Sequence, residues 1–178
     1  MATYISHSPA ETAALGATWG CAALSGLVIG LCGDLGAGKT QLVKGLARGL
    51  GIVEQVLSPT FVLVNVYTGG RLTLCHLDLY RLETREQIVA AGLEDYLKPA
   101  GVTVIEWAER WFGFDSLKSK VHSPQSTVHS PRSAVHGPQS TVHGPQSTVR
   151  LFPERFRQVW IEVVSDTERR ITYEDSGA

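Results

Sequence analysis

The sequence has no long apolar run, no excess of one charge and no leading basic segment, and each absence excludes a class of protein. No stretch approaches the roughly 20 apolar residues of a membrane-spanning helix, and the first residues do not form a basic segment followed by an apolar one. The formal net charge is −1, and neither half of the chain carries a long run of one sign. We therefore expect no membrane association and no stable direct binding to bare nucleic acid, so that any link to nucleic acid is indirect.

Cysteine is also scarce. The three cysteines, Cys21, Cys32 and Cys75, form no C-x-x-C pair, and Cys32 and Cys75 lie in apolar, strand-like runs. This usage is typical of small buried thiols in a reducing compartment and not of metal ligands or redox centres. Together with the missing membrane span, it predicts a cytoplasmic protein.

What the sequence does contain is enough apolar material for one ordinary domain. With 178 residues and 43% hydrophobic content, a chain of this size can bury roughly two-thirds of its unfolded surface. A single hydrophobic core is sufficient. We predict one domain over residues 1–178.

The stretch GDLGAGKT, residues 33–40, has the pattern G-x-x-x-x-G-K-[ST] of a phosphate-binding loop. An apolar run of strand length precedes it, and apolar residues at helical spacing follow it, which disfavours a mere glycine-rich turn before an ordinary helix. Backbone N–H groups in such a loop converge on an anion at the start of a helix. Lys39 would reach the β- and γ-phosphates and the Thr40 hydroxyl would bind Mg²⁺. The predicted nucleotide-binding residues of the loop are Gly33, Asp34, Leu35, Gly36, Ala37, Gly38, Lys39 and Thr40.

Patterns elsewhere predict an α/β fold of the P-loop NTPase type, with a mixed sheet whose parallel centre carries antiparallel hairpins and is flanked by helices. Ser8 and Pro9 suit the start of a helix over residues 8–24, and Thr84 with Gln87 has the capping-box pattern of a short helix ending at Ala91. The predicted strands and hairpins are LVIGLC (27–32), FVLVNVY (61–67) paired with LTLCHLDLY (72–80), VTVIEW (102–107), and RQVWIEVV (157–164) paired with ITYED (171–175).

One segment does not fit this plan. Residues 121–148 contain four copies of a seven-residue unit, VHSPQST, VHSPRSA and VHGPQST twice. A proline in every unit excludes a coiled coil, and each unit is too short and too polar for a solenoid. Its composition predicts an extended, disordered insertion over about residues 113–150. Lengthening a loop from about six to about thirty-six residues costs only about 1.5 kcal/mol, so the domain can accommodate it.

A magnesium-bound nucleotide in this fold also requires a carboxylate at the carboxyl end of a strand beside the phosphate loop. Two acids satisfy this requirement, Asp78 after LTLCHL and Glu106 after VTVI. Either acid could instead be a solvated strand end or a helix cap. The apolar run that leads directly into Glu106 is the better match to a strand that ends in a metal-binding acid.

The sequence resembles the TsaE (YjeE-type) family, P-loop ATPases of tRNA threonylcarbamoyladenosine biosynthesis. The resemblance is carried by five motifs in order, and it extends from about residue 6 to residue 111, with weaker likeness in the final hairpin. The repeat has no counterpart in the family pattern. The motifs are GDLGAGKT (33–40), SPTF (58–61), HLDLYRL (76–82), GLEDYL (92–97) and EW (106–107).

The resemblance implies specific roles for residues in these motifs. Lys39 would hold the phosphates, and Thr40 with Glu106 would complete the Mg²⁺ site. SPTF and HLDLYRL would act as two switch segments, with Thr60 near the γ-phosphate and Asp78 orienting the attacking water. Trp107 would lie near the nucleotide, although an aromatic residue beside Glu106 could equally serve packing. Tyr80 and Arg81 could serve turnover or partner contact, or Arg81 could simply be solvated.

The implied function is that of an accessory ATPase that binds ATP and Mg²⁺, hydrolyses ATP slowly, and drives or resets the TsaB–TsaD complex that modifies adenosine in tRNA. Phosphoryl transfer depends on positioning and charge neutralisation, so a P-loop protein with few additional cations should be slow alone. A small-molecule kinase is an alternative, but its arginine-bearing lid would have to come from the repeat, whose single internal arginine is Arg132. A nucleotide-dependent binding module without useful turnover is another.

Overall fold

A seven-stranded mixed sheet forms the centre of the computed structural model, which describes residues 1–113 and 153–177. Its strand order is β1-β7-β6-β2-β5-β4-β3. The strands are β1 (Ala2–Ser6), β2 (Leu27–Cys32), β3 (Val64–Tyr67), β4 (Leu74–Asp78), β5 (Val102–Glu106), β6 (Arg155–Val163) and β7 (Arg169–Ser176). The helices are α1 (Pro9–Ala22), α2 (Lys39–Gly49), α3 (Arg85–Ala90), α4 (Glu109–Phe112) and a 3₁₀ helix over Leu93–Leu97.

The predicted fold class is confirmed. Strands β6, β2, β5 and β4 pair in parallel, whereas β3 is antiparallel to β4, and β7 is antiparallel to both β6 and β1. The two central parallel strands, β2 (LVIGLC) and β5 (VTVIE), are buried along almost their whole length and consist mostly of apolar residues. Their carboxyl ends therefore meet at one edge of the sheet, where the phosphate loop follows β2.

Apolar side chains fill both faces of the sheet. One cluster lies around α1 and α2 and includes Leu46, Val104 and Ile161. The other lies on the opposite face and includes Ile88 and Ile105. Helices α1 and α2 approach so closely that a Cβ atom on Gly45 would collide with the carbonyl oxygen of Ala13.

Local capping signals are confirmed. The Ser8 hydroxyl accepts from the Glu11 N–H at 3.2 Å and Pro9 is the first residue of α1, although the helix ends at Ala22 and not at residue 24. Thr84 and Gln87 form both hydrogen bonds of the capping box at the start of α3. The final hairpin also forms, with both strands longer than predicted.

The predicted strand over residues 61–67 is wrong in its first half. The N–H groups of Val62 and Leu63 donate to the Pro59 carbonyl at 3.0 and 2.7 Å, and Leu63 has a φ of 66°. These bonds form a turn that leaves Phe61 84% exposed, so pairing with β4 begins only at Val64. Strand β1 and helix α4 were not predicted from the sequence.

The expectation that the cysteines are buried holds only for Cys32. Cys21 is exposed near the end of α1 and Cys75 is half-buried, and all three thiols are free. Burial raises the pKa of Cys32 and that of Cys75.

The predicted insertion over residues 113–150 lies, beyond Gly113, outside the described residues. Within residues 1–113 and 153–177, no helix is both long enough and apolar enough to span a bilayer.

Candidate functional site

The phosphate loop turns from the end of β2 into the start of α2. Gly33, Gly36 and Gly38 have φ values of 141°, 76° and 106°, a region that side chains rarely adopt. At Gly33 a Cβ atom would also collide with the carbonyl oxygen of Ile161. The loop thus needs glycine for its backbone path, and it presents the positive end of an eleven-residue helix to the site.

Lys39 lies inside the loop. Its side chain is buried, with 5% of the residue exposed, and Nζ donates to the carbonyl oxygens of Gly33 at 2.7 Å and Asp34 at 3.0 Å. The ammonium group also lies 3.8 Å from the centre of the Trp107 ring. Burial lowers the pKa of Lys39, and this effect outweighs the opposing influence of nearby carboxylates, of which Glu106 and Glu109 contribute most.

Thr40 and Glu106 meet directly although they are 66 positions apart. The Thr40 hydroxyl donates to Oε1 of Glu106 at 2.8 Å and lies 3.1 Å from Oε2. Glu106 is the last residue of β5, and the parallel register places it beside Asp78 at the end of β4. Of the two acids that the sequence suggested for the metal site, the structure brings Glu106 to the Thr40 hydroxyl.

Asp78 has different partners. Its Oδ2 accepts hydrogen bonds from Ser58 at 2.7 Å and Thr60 at 2.6 Å, and its Oδ1 accepts one from the Tyr80 N–H at 2.9 Å. The carboxylate therefore connects the SPTF segment to the strand that carries HLDLYRL. These contacts place both predicted switch segments at the same edge of the sheet.

Most of the predicted site residues line one cavity of about 320 Å³. Trp107, with a φ of 61°, and Tyr80 form an aromatic wall with their ring centres 5.2 Å apart. Gly33 and Asp34 do not line the cavity, but their carbonyl oxygens hold Lys39. The predicted site residues that line it are Leu35, Gly36, Ala37, Gly38, Lys39, Thr40, Thr60, Asp78, Glu106 and Trp107.

Further side chains contribute to the site although the sequence patterns gave them no role. His76 lies close to Glu106, with 2.8 Å between His76 Nε2 and Glu106 Oε1. It is two positions before Asp78 in β4, so both side chains are on the same face of the strand, and this spacing could have predicted that His76 belongs to the site. Ser58 belongs to the SPTF motif but was given no role of its own. Arg169 in β7 donates a hydrogen bond to the Ala37 carbonyl at 3.2 Å, and no local sequence pattern predicts this contact.

Oxygen donors in the site suit a hard cation. Hydroxyl and carboxylate oxygens are the ligands that Mg²⁺ prefers, and it usually takes only one or two from protein side chains, with phosphate oxygens and water completing its shell. In the described part of the chain, no group of three His, Cys, Asp or Glu side chains is arranged to hold a metal ion by itself.

Comparison with known proteins connects this site to a family. Residues 6–133 match the family model described as "Threonylcarbamoyl adenosine biosynthesis protein TsaE". The crystal structure of Bacillus subtilis YdiB is similar to this fold, with a TM-score of 0.65 and 27% identity, and the alignment covers 99% of this chain and 86% of that one.

Curated relatives carry the name "tRNA threonylcarbamoyladenosine biosynthesis protein TsaE". The relative from Nostoc sp. PCC 7120 is 52% identical over 56% of this chain and 64% of its own length. The relative from Treponema pallidum is 49% identical over 60% of this chain and 78% of its own length. The Bacillus subtilis relative is 45% identical over 57% of this chain and 63% of its own length.

The matches to the Nostoc and Bacillus relatives thus cover slightly less than two thirds of those proteins. The family model, in contrast, extends over most of the chain and includes the phosphate loop, the SPTF and HLDLYRL segments and Glu106. On this evidence the chain belongs to the TsaE family.

Proposed function

We propose that this protein is an ATPase that binds ATP with Mg²⁺ in the cavity at the phosphate loop and serves as an accessory protein in N6-threonylcarbamoyladenosine modification of tRNA. The observation that carries the proposal is the contact between the Thr40 hydroxyl and the Glu106 carboxylate, at 2.8 and 3.1 Å. It joins the start of the phosphate-loop helix to an acid at the end of a neighbouring parallel strand, the arrangement that a magnesium nucleotide requires.

Binding of the phosphates would fall to the loop and to Lys39. The loop N–H groups and the start of α2 attract negative charge. Lys39 Nζ currently donates to the Gly33 and Asp34 carbonyls and would exchange these partners for phosphate oxygens. Because burial opposes the charge of Lys39, an anion in the cavity would provide compensation that the nearby carboxylates supply only in part.

Thr40 and Glu106 would hold Mg²⁺ through their oxygen atoms. When bound, Mg²⁺ supplies charge neutralisation at the phosphate oxygens. Glu106 is 3% exposed, so its carboxylate is largely shielded from water and retains a strong electrostatic influence on the loop.

Asp78 and Thr60 would act on the γ-phosphate side. Their 2.6 Å hydrogen bond ties the SPTF segment to the end of β4, and Asp78 would orient the attacking water. A segment that responds to the γ-phosphate in this way changes its order or position on hydrolysis, as switch loops do. ATP-bound and ADP-bound states would then differ at the protein surface, where Phe61 is 84% exposed.

The proposed partners are the TsaB and TsaD proteins, with tRNA reached only through them. Among the described residues that line the cavity, Lys39 is the single cationic side chain. A site with one cation should neutralise the transition state poorly and turn over slowly alone. Slow turnover suits a protein that drives or resets a complex and does not itself make the modification.

A measurement of ATP hydrolysis tests the proposal. The purified protein is assayed alone and with cognate TsaB and TsaD, and wild type is compared with Lys39→Ala and Glu106→Ala. We expect slow hydrolysis alone, faster hydrolysis with the partners, and a loss of at least about 100-fold in both variants, because each removes charge stabilisation. Lys44→Ala, at an exposed position of the same helix, is the matched control and should retain wild-type rates.

Two outcomes would contradict the proposal in different ways. Hydrolysis that survives in Glu106→Ala would show that the metal assignment is wrong. Nucleotide binding without any response to TsaB and TsaD, accompanied by stoichiometric phosphorylation of a metabolite, would favour a kinase instead.

A further inference from the structure

His76 is a buried histidine at the centre of β4, beside the proposed metal site. The residue is fully buried, and its Nε2 lies 2.8 Å from Oε1 of Glu106, which is itself 3% exposed. The same Oε1 accepts the 2.8 Å hydrogen bond from the Thr40 hydroxyl. His76 and Thr40 thus contact one carboxylate oxygen from two different elements, β4 and α2.

The proposed role of Glu106 implies one form of the imidazole. A carboxylate that binds Mg²⁺ is ionised and only accepts hydrogen bonds, so Nε2 would carry the hydrogen. The other ring nitrogen, Nδ1, is buried and has no hydrogen-bond partner among the residues that the structure describes. In the neutral ring with hydrogen on Nε2, Nδ1 is an unpaired acceptor, and no N–H group is left buried without a partner.

We propose that His76 is a positioning residue that holds the Glu106 carboxylate toward the Thr40 hydroxyl and so prepares the cation site before Mg²⁺ arrives. The inference depends on the proposed function, because it concerns the metal site of that function. Side chains that hydrogen-bond a metal-binding carboxylate fix its orientation, and their loss typically weakens metal affinity about 10- to 100-fold.

The strand geometry explains why His76 can do this. In the parallel register of β4 and β5, His76 lies opposite Val104 and Asp78 lies opposite Glu106. His76 therefore reaches diagonally to Glu106 while Asp78 keeps its own contacts with Ser58 and Thr60. Without the His76 donor, Thr40 would be the remaining described residue whose side chain donates a hydrogen bond to the buried carboxylate. The hydroxyl oxygen of Thr40 is also needed by the cation.

Two substitutions separate positioning from packing. A glutamine places its amide nitrogen near the position of the histidine Nε2, whereas an asparagine places it near that of Nδ1. His76→Gln therefore keeps a donor that reaches Glu106, and His76→Asn keeps a polar amide that does not. His7→Asn is the control because His7 is exposed and outside the cavity.

The main experiment measures ATP affinity over a Mg²⁺ titration and again in EDTA, together with the thermal unfolding midpoint of each variant. We expect apparent Mg²⁺ affinity to fall about 10- to 100-fold in His76→Asn and to stay within about threefold of wild type in His76→Gln and His7→Asn. Nucleotide affinity in EDTA should be the same in all four proteins. Equal Mg²⁺ affinity in His76→Asn and wild type would overturn the inference.

A second measurement uses wild-type protein and needs no folded variant. The ¹⁵N resonances of the His76 ring, assigned from its buried neighbours, report which nitrogen carries the hydrogen. Hydrogen on Nε2 with a bare Nδ1 is the expected result. A bare Nε2 could not donate to Glu106 and would overturn the inference.

The same measurements distinguish an error in the proposed function from an error in the role of His76. If wild-type ATP affinity is the same with Mg²⁺ and with EDTA, the metal site itself is wrong and the role of His76 is wrong with it. If Mg²⁺ strengthens binding in wild type and not in Thr40→Ala, while His76→Asn matches wild type, then only the inference about His76 fails.

Discussion

At the scale of single residues, the amino group of Lys39 lies in surroundings that oppose its charge. The residue is 5% exposed, and burial lowers its pKa despite the carboxylates around it. Two backbone carbonyls and the face of Trp107 contact the ammonium group and stabilise it in part. Burial of this charge thus carries a free-energy cost that phosphate binding would relieve, as is common where function requires a buried charge.

This cost gives a prediction about pH. The pKa of Lys39 is lower in the folded protein than its ordinary value of 10.5, so the folded state loses this proton before the unfolded state does. Over the interval between the two values the unfolded state binds more protons, and the stability of wild type relative to Lys39→Met should rise as pH increases toward 10.5.

Urea unfolding of both proteins from pH 7 upward measures the difference. Lys44→Met, altered at an exposed position of the same helix, controls for the general effect of removing a lysine. A difference between wild type and Lys39→Met that is independent of pH, or that changes in favour of the variant, would show that burial does not disfavour the charge of Lys39.

Residue patterns favoured Glu106 over Asp78 as the metal-binding acid without excluding Asp78. Asp78 and Glu106 both end strands beside the phosphate loop, and both are almost fully buried. Their contacts differ because β5 is the direct neighbour of β2, and this places Glu106 next to the start of α2. Strand order is set by the whole sheet, so the local pattern could favour Glu106 but could not show that it contacts Thr40.

At the scale of elements, the packing of α1 against α2 depends on glycine. Gly16 and Gly20 of α1 face backbone atoms of α2, and Gly45 and Gly49 of α2 face backbone atoms of α1. A Cβ atom at any of the four positions would meet a carbonyl oxygen of the other helix. Glycine within a helix is unfavourable by itself, so these residues are explained by the close approach of the two helices.

Gly45→Ala tests this explanation because helix propensity and steric collision predict changes of opposite sign in the free energy of unfolding. Helix propensity alone would stabilise α2 by about 1 kcal/mol. Collision with the Ala13 carbonyl should outweigh this gain, and we expect a net loss of about 2 kcal/mol in the free energy of unfolding. Urea unfolding gives the value, with Lys44→Ala as the neighbouring exposed control. Stabilisation by Gly45→Ala would show that the helices are less tightly packed than the structure describes.

Elements with strong local signals were predicted well. The N-cap at Ser8 and the capping box at Thr84 are interactions between residues three positions apart, so the sequence specifies them directly. Strand β1 was missed because its partner, β7, lies at the other end of the chain. The turn before β3 was missed because residues 61–67 have strong strand propensity. The hydrogen bonds to the Pro59 carbonyl hold Val62 and Leu63 in a turn instead.

At the scale of the whole molecule, the proposed insertion separates strands β5 and β6 of one sheet in the sequence. Strand β5 precedes it and β6 follows it, and both pair with β2. We propose that residues 1–178 form a single P-loop domain interrupted at about residues 113–150. Both flanking strands pair with β2, so the length of the connection between them should have little effect on the stability of the sheet.

Deletion of the four repeats, residues 121–148, tests this proposal. We expect ATP affinity to remain within about twofold of wild type, because surface connections tolerate changes in length. Isothermal titration of both proteins with ATP and Mg²⁺ provides the comparison. A large loss of affinity would contradict a passive insertion and would assign the repeats a part in the site.

The sequence by itself determined the features whose atoms are close along the chain: the glycine path of the phosphate loop, the start of α2 at Lys39, the helix caps and the strand ends that carry acids. Tertiary structure decided the contacts between distant residues, including Thr40 with Glu106, His76 with Glu106, and Arg169 with the Ala37 carbonyl. The physical reason is that a hydrogen bond requires its two groups to be within about 3 Å. For residues far apart in sequence, only the completed order and register of the sheet bring them that close.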